Sequence, residues 1–172
     1  MRYVLLVILS VVSVVLSGSV ASGLNIAGIQ VDIVLLIIVP LTLLEKTSMP
    51  IVFAAITGFL MDIMFSTVLG AYALCYTVMA AVCLLLFRKI IRFNVLSLFL
   101  VGAGSYLVKE LTMAVIVYAQ AGRYSFPPLL VRYILPAAVL NGVLLLVSYW
   151  LFSRVYSQSW MKTRAMRSLD DF

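Results

Sequence analysis

Charged residues are scarce in this chain, and histidine is absent altogether. Only 10% of the 172 residues are charged, whereas a soluble domain of this length carries about a quarter. Hydrophobic residues make up 65% of the sequence, and the mean hydropathy is +1.22. The shortage of charge extends along the whole chain. It argues against a soluble domain and predicts an all-α, polytopic integral membrane bundle in contact with the lipid bilayer.

The two cysteines and the absence of catalytic patterns argue against a disulfide-bonded protein, a metalloprotein and an enzyme. Cys75 and Cys83 are eight residues apart in one apolar run, so on a helix they lie two turns apart and cannot bond to each other. We interpret both as packing residues. No metal-ligand spacing, nucleophile constellation or glycine-rich phosphate loop is present. We therefore expect no catalytic residues, no metal site and no cofactor.

Six apolar runs predict six transmembrane helices in a single domain, followed by a short cytoplasmic tail over 153–172. The runs cover about 3–21, 31–46, 50–66, 69–87, 95–119 and 129–152. A span needs roughly 20 apolar residues, so the second and third runs are short. The first run also resembles a cleavable signal peptide, but its length favours a retained helix.

The basic residues predict the orientation, because Lys and Arg accumulate in cytoplasmic loops. With the N-terminus inside, nine basic residues fall on inner segments, namely Arg2, Lys46, Arg88, Lys89, Arg92, Arg154, Lys162, Arg164 and Arg167. Two fall on outer loops, Arg123 and Arg132. We therefore expect both termini in the cytoplasm. The same distribution explains the net charge of +6 without nucleic acid.

Three charged residues fall deep inside predicted spans, Asp62 in the third and the adjacent Lys109 and Glu110 in the fifth. Asp62 lies about 18 Å along the third span from Pro50, and Lys109 lies about 21 Å along the fifth span from Val95, at 1.5 Å per residue. Both depths are in the outer half of the bilayer, as is Asp32 at the start of the second span. We expect Asp62 either to pair with Lys109 or to accept hydrogen bonds from backbone donors near Gly70.

Ala54, Gly58 and Asp62 recur every four residues, so they form one stripe on a helix. Small residues at this spacing let two helices approach closely in lipid, and we expect the stripe to face another helix. Asp62 is then a buried polar clamp. The alternative is a proton or ion site, which usually needs titratable groups across the full depth of the membrane.

A second stripe of small residues lies on the first helix. It consists of Ser10, Ser13, Ser17 and Ala21. One interpretation is packing inside the chain, and the other is docking of a partner protein's transmembrane helix.

The stretch GFLMDIMFSTVLGAYAL, with Gly58, Asp62 and Gly70, resembles the signature of the rod shape-determining protein MreD family. The stretch LPAAVLNGVLL, with Asn141 and Gly142, resembles the last helix of that family. Chain length and six predicted spans also fit. One departure is that the family often has a proline before its second helix, where this chain has Gln30-Val31-Asp32.

The resemblance implies a non-enzymatic scaffold in the bacterial inner membrane, a component of the elongasome that links the cytoskeleton to peptidoglycan synthesis. Its expected partners are an MreC-like single-span protein and, with it, MreB, RodA and a penicillin-binding protein. The family is similar in fold to the S components of energy-coupling-factor transporters. The rival function is therefore a vitamin-binding or other small-molecule transport subunit.

Overall fold

The computed structural model describes residues 2–23, 31–44, 48–66, 69–87, 95–121 and 133–156, and this part of the chain is all-helical. The helices are α1 (Arg2–Gly23), α2 (Ile33–Leu44), α3 (Met49–Phe65), α4 (Ala71–Val82), α5 (Val95–Ala121) and α6 (Leu135–Tyr156). A π-helical segment, Cys83–Phe87, follows α4. Each predicted apolar run overlaps one of these helices.

Prolines mark where two of the helices begin. Pro50 is in the first turn of α3 and Pro136 is in the first turn of α6. Proline is tolerated there because its missing N–H has no partner within the helix at that position. Pro40, in contrast, lies inside α2.

The helices run up and down with respect to one another. Gly18, near the end of α1, meets the ring of Phe65 at the end of α3. Asp62, also near the end of α3, bonds to the backbone at the start of α4. The backbone of Asp32, just before α2, bonds to Asn141 in the second turn of α6. The ends of α1 and α3 and the beginnings of α2, α4 and α6 therefore share one end of the bundle, which we call the polar end.

Helix α2 lies at the centre. It contacts all five other helices, and none of its side chains is exposed. Val34, Leu35, Ile38 and Val39 have no solvent-accessible surface. The other helices surround it.

Close helix crossings depend on glycine at two places. A Cβ on Gly58 of α3 would lie 2.6 Å from the Cα of Ala73 in α4. A Cβ on Gly102 of α5 would lie 2.9 Å from the Cα of Gly142 in α6. The prediction that the stripe of Ala54, Gly58 and Asp62 faces another helix is confirmed, since all three residues are buried and the last two contact α4.

Two helices are long and apolar enough to cross a membrane, over Val95–Ala119 and Leu135–Arg154. The other apolar helical stretches among the described residues are shorter, at 10–17 residues. Both cysteines are buried and free, as their spacing predicted. The sulfur of Cys75 contacts that of Met113 in α5 at 3.9 Å.

Candidate functional site: a buried polar network

Asp32 is the centre of a group of polar side chains at the polar end. We call Asp32, Tyr76, Lys109, Glu110 and Asn141 the buried polar network. Asp32 precedes α2 and caps it, because its Oδ1 accepts a hydrogen bond of 3.0 Å from the N–H of Leu35. This is the usual geometry of an aspartate N-cap. The carboxylate is thereby fixed in a place where three other helices reach it.

The charge partner of Asp32 comes from α5. Lys109 Nζ lies 2.9 Å from Asp32 Oδ2 and 2.7 Å from Glu110 Oε1. It also lies 4.7 Å from the centre of the Tyr106 ring, within the range of a cation–π interaction. The ammonium group is thus surrounded by two carboxylates and an aromatic face, which offsets the cost of its burial.

Tyr76 contributes a phenol from α4. Its hydroxyl lies 3.0 Å from each oxygen of Asp32, and its side chain is buried. Tyr72 stacks on it with the ring centroids 6.3 Å apart. The Tyr76 ring thereby places apolar surface beside the ion pair.

Asn141 joins the network from α6. Its Oδ1 accepts a 2.9 Å hydrogen bond from the backbone N–H of Asp32, and its Nδ2 donates to the carbonyl of Ala137 at 2.9 Å. Asn141 is fully buried. The neighbouring Gly142 lets α5 come close, as described above. The Asn141-Gly142 pair therefore combines a polar contact to α2 with a close crossing to α5.

Asp62 lies outside this network and has a different role. Its Oδ1 accepts from the N–H of Tyr72 and its Oδ2 from the N–H of Ala73, both at 2.9 Å. These are first-turn amides of α4, which have no acceptor within their own helix. The residue at the N-cap of α4 is Gly70, which has no side chain to offer. Asp62 caps α4 from the neighbouring helix, where the helix dipole favours a negative charge.

The prediction that Asp62 pairs with Lys109 is therefore wrong. The alternative prediction, that Asp62 accepts hydrogen bonds from backbone donors near Gly70, is the one that the structure shows. Lys109 bonds to Asp32 and Glu110 instead. The prediction rested on similar depth along two helices. Depth does not specify direction around the helix axis, and Asp62 points toward α4 because Gly58, one turn earlier, packs against α4.

The three motif residues of the α3–α4 hairpin act together. Gly58 lets the two helices touch, and Asp62 caps α4. Gly70 adopts φ +95°, a left-handed conformation that glycine accepts without strain. This conformation ends the turn and directs the first amides of α4 toward Asp62.

The structure corrects the docking interpretation of the serine stripe for Ser10 and Ser13, which are buried inside the chain. Ser13 Oγ donates to the carbonyl of Ser10 and Ser17 Oγ to that of Ser13, each at 2.8 Å. The hydroxyls are satisfied within α1, and their small size lets α1 pack on α2 and α3. Ser17 is half-buried, and the side chain of Ala21 lies outside the described residues.

Sequence reasoning placed Asp32 only at the boundary of a span and did not identify Tyr76. A signal for Asp32 was available, since an aspartate directly before an apolar run is an N-cap pattern. A tyrosine within the apolar run of α4 has no comparable signal. Within the described ranges, no group of three or more His, Cys, Asp or Glu side chains could hold a metal ion.

Comparison with known proteins does not assign a function to the buried polar network. No family model, curated protein or solved structure matches this chain. What the site does chemically follows from its own geometry. It holds two carboxylates, an ammonium group, a phenol and an amide at the junction of four helices, and so fixes those helices relative to one another.

Proposed function

We propose that this chain is a multi-pass protein of the bacterial cytoplasmic membrane and a non-enzymatic scaffold of the rod-shape machinery. It binds an MreC-like single-span protein and, through that complex, acts with MreB, RodA and a penicillin-binding protein. The two helices long and apolar enough to span a membrane are part of the support. The distribution of polarity and the α3–α4 hairpin supply the rest.

The distribution of side chains favours a lipid environment. The outward faces of the surrounding helices are apolar, as in the α3 stripe of Val52, Ile56, Phe59 and Ile63, each more than half exposed. Asp32, Asp62 and Lys109 are buried. Soluble proteins place charge outside and rarely bury it, whereas membrane proteins turn ionisable groups toward the bundle interior.

The α3–α4 hairpin is the single observation that carries the family assignment. Gly58, Asp62 and Gly70 were singled out by their resemblance to the rod shape-determining signature. In the structure each has a distinct role in one unit: a close contact, a cap and a left-handed turn. A shared physical reason for three spaced residues supports a shared motif more strongly than apolar similarity does.

A scaffold fits the network better than a transport path does. Both oxygens of Asp62 are occupied by backbone amides, and Lys109 is held between two carboxylates. Of the charged residues with described side chains, only Arg154 lies away from the polar end. A proton or ion path requires titratable groups across the whole depth of the membrane.

The proposed orientation has six spans with both termini in the cytoplasm, so the polar end faces outward. The alternation of helix directions is consistent with it, and the excess of basic residues on the inner segments selects the side. Reporter fusions at Arg92 and at the C-terminus test it. Both are expected to report a cytoplasmic location, and an external signal at either position contradicts the orientation.

Co-purification tests the function itself. The full-length protein, extracted in mild detergent, is expected to retain a single-span protein in fixed stoichiometry. Mass spectrometry of bound metabolites on the same sample addresses the rival function. A retained vitamin or similar small molecule without a protein partner would support a transporter subunit of the S-component type and reject the scaffold.

A further inference from the structure

The buried polar network carries an unbalanced charge. Asp32 and Glu110 supply two carboxylates, whereas Lys109 supplies one ammonium group that bonds to both. Asp62 does not change this balance, because its partners are backbone amides. Among the described residues, no second cation lies within ion-pair distance of either Asp32 or Glu110. Within the described part of the chain, one negative charge therefore lacks a counterion.

The excess charge lies closest to the surface at Glu110. The Glu110 side chain is 23% exposed, whereas those of Lys109 and Asp32 are 10% and 7% exposed. The exposed residues Leu111, Val115 and Tyr118 lie on the adjoining face of α5, about a quarter turn around the helix axis from Glu110. We call this strip, from Glu110 to Tyr118, the α5 strip. It is apolar except for a carboxylate at one end.

The depth of Glu110 limits what could balance it. It lies 15 residues after Val95, about 22 Å along a helix that spans the bilayer in the proposed orientation. This position is inside the hydrocarbon core, below the lipid headgroups. A hydrated metal ion would have to lose its water there for too few oxygen ligands. A side chain on another transmembrane helix can reach this depth without such a cost.

We propose that a transmembrane helix of the partner protein packs on the α5 strip and places a Lys or Arg side chain against Glu110. The inference rests on the proposed scaffold function and names the surface and chemistry of its partner contact. The cation balances the network, and the apolar remainder of the helix covers Leu111, Val115 and Tyr118. Charge complementarity therefore selects the partner, while apolar packing adds area.

A pair of synthetic peptides tests the charge requirement. Both are leucine-rich transmembrane peptides with identical flanks, and one carries a single Lys at the depth of Glu110 where the other carries Leu. Binding to the full-length protein in lipid vesicles is measured by fluorescence energy transfer. The Lys peptide is expected to bind about tenfold more tightly, the scale of a polar contact between helices in a membrane. Equal binding of the two peptides overturns the proposal.

Two variants locate the contact. Glu110→Gln is expected to abolish the preference for the Lys peptide, because it removes the charge and keeps the shape. Val143→Gln introduces the same amide on the exposed face of α6 and is expected to leave the preference unchanged. Thermal unfolding of both variants checks that the bundle is intact. If the preference survives in Glu110→Gln, or is lost in Val143→Gln, Glu110 is not the contact.

The native partner separates this inference from the function on which it rests. If a single-span protein co-purifies with the wild type, its span should contain a Lys or Arg, and Glu110→Gln should reduce its recovery. If the wild type and Glu110→Gln recover the partner equally, the partner does not bind at Glu110, but the proposed scaffold function is unaffected. If no protein co-purifies with the wild type, the scaffold function itself fails.

Discussion

The hydroxyl of Ser148 in α6 donates a hydrogen bond to the backbone carbonyl of Leu36 in α2. Leu36 is four residues before Pro40, which lies inside α2 and has no N–H. Proline at this position removes the bond that would satisfy that carbonyl within the helix. A side chain from a neighbouring helix thus supplies the donor that the α2 sequence lacks.

Ser148→Ala is therefore expected to destabilise the protein by about 1–3 kcal/mol, since it leaves a part-buried carbonyl without a donor. Pro40→Ala restores the N–H within α2. In that background, Ser148→Ala should cost much less, and thermal unfolding of the four proteins in detergent measures the difference. An equal cost in both backgrounds would show that Pro40 and Ser148 act independently.

Asp62 should behave as a helix cap and not as half of an ion pair. Asp62→Ala removes the acceptor for two amides of α4 and is expected to cost about 1–2 kcal/mol or more. Asp62→Asn keeps one side-chain oxygen as an acceptor and should be milder. Lys109→Ala should add its own loss to that of Asp62→Ala, because the two residues do not share a partner. Recovery of stability in the double variant would instead indicate a direct ion pair between Asp62 and Lys109.

Lys109 and Asp32 should couple strongly. Lys109→Met leaves buried carboxylates without a cation and is expected to cost about 3–5 kcal/mol, seen as a loss of monodisperse protein. Adding Asp32→Asn removes one of those charges and keeps an oxygen for the α2 cap, so part of the loss should return. Arg154→Ala, at an exposed site where the side chain lies over Trp150, is the control. It is expected to leave yield and unfolding temperature nearly unchanged. A loss as large as that of Lys109→Met would show that the buried polar network is no more important for stability than an exposed charge.

Two glycines at helix contacts should differ in their tolerance of a methyl group. Gly58→Ala drives a Cβ to within 2.6 Å of the Ala73 backbone, so α3 and α4 must move apart. Gly18→Ala meets the end of the Phe65 ring at the same distance, and that ring can turn away. We expect Gly58→Ala to cost about 1–3 kcal/mol or more and Gly18→Ala distinctly less. Similar unfolding temperatures for the two variants would argue against a tight α3–α4 contact.

The helices were predictable because long apolar runs interrupted by Ser, Gly and Pro leave few alternatives. It was also predictable that Ala54, Gly58 and Asp62 face another helix, because their spacing of four residues places them on one side of α3. The identity of the facing helix was not. That choice depends on how α3 rotates about its axis, which the packing of Gly58 on α4 decides. Asp32 and Tyr76 were missed because the contacts of Asp32 with Tyr76 and Lys109 join three helices far apart in the chain.

Helix α2 also has a consequence for how the protein is made. The backbone amide of its N-cap residue, Asp32, bonds to a residue 109 positions later, and the Asp32 carboxylate bonds to a lysine 77 positions later. The carbonyl left open by Pro40 is completed by Ser148, 112 positions after Leu36. During synthesis, α2 is therefore complete before any of these groups exists. A nascent chain that stops before α5 lacks the cation that pairs with Asp32 and the donor that bonds to the Leu36 carbonyl, and both are in place only after α6 has been made.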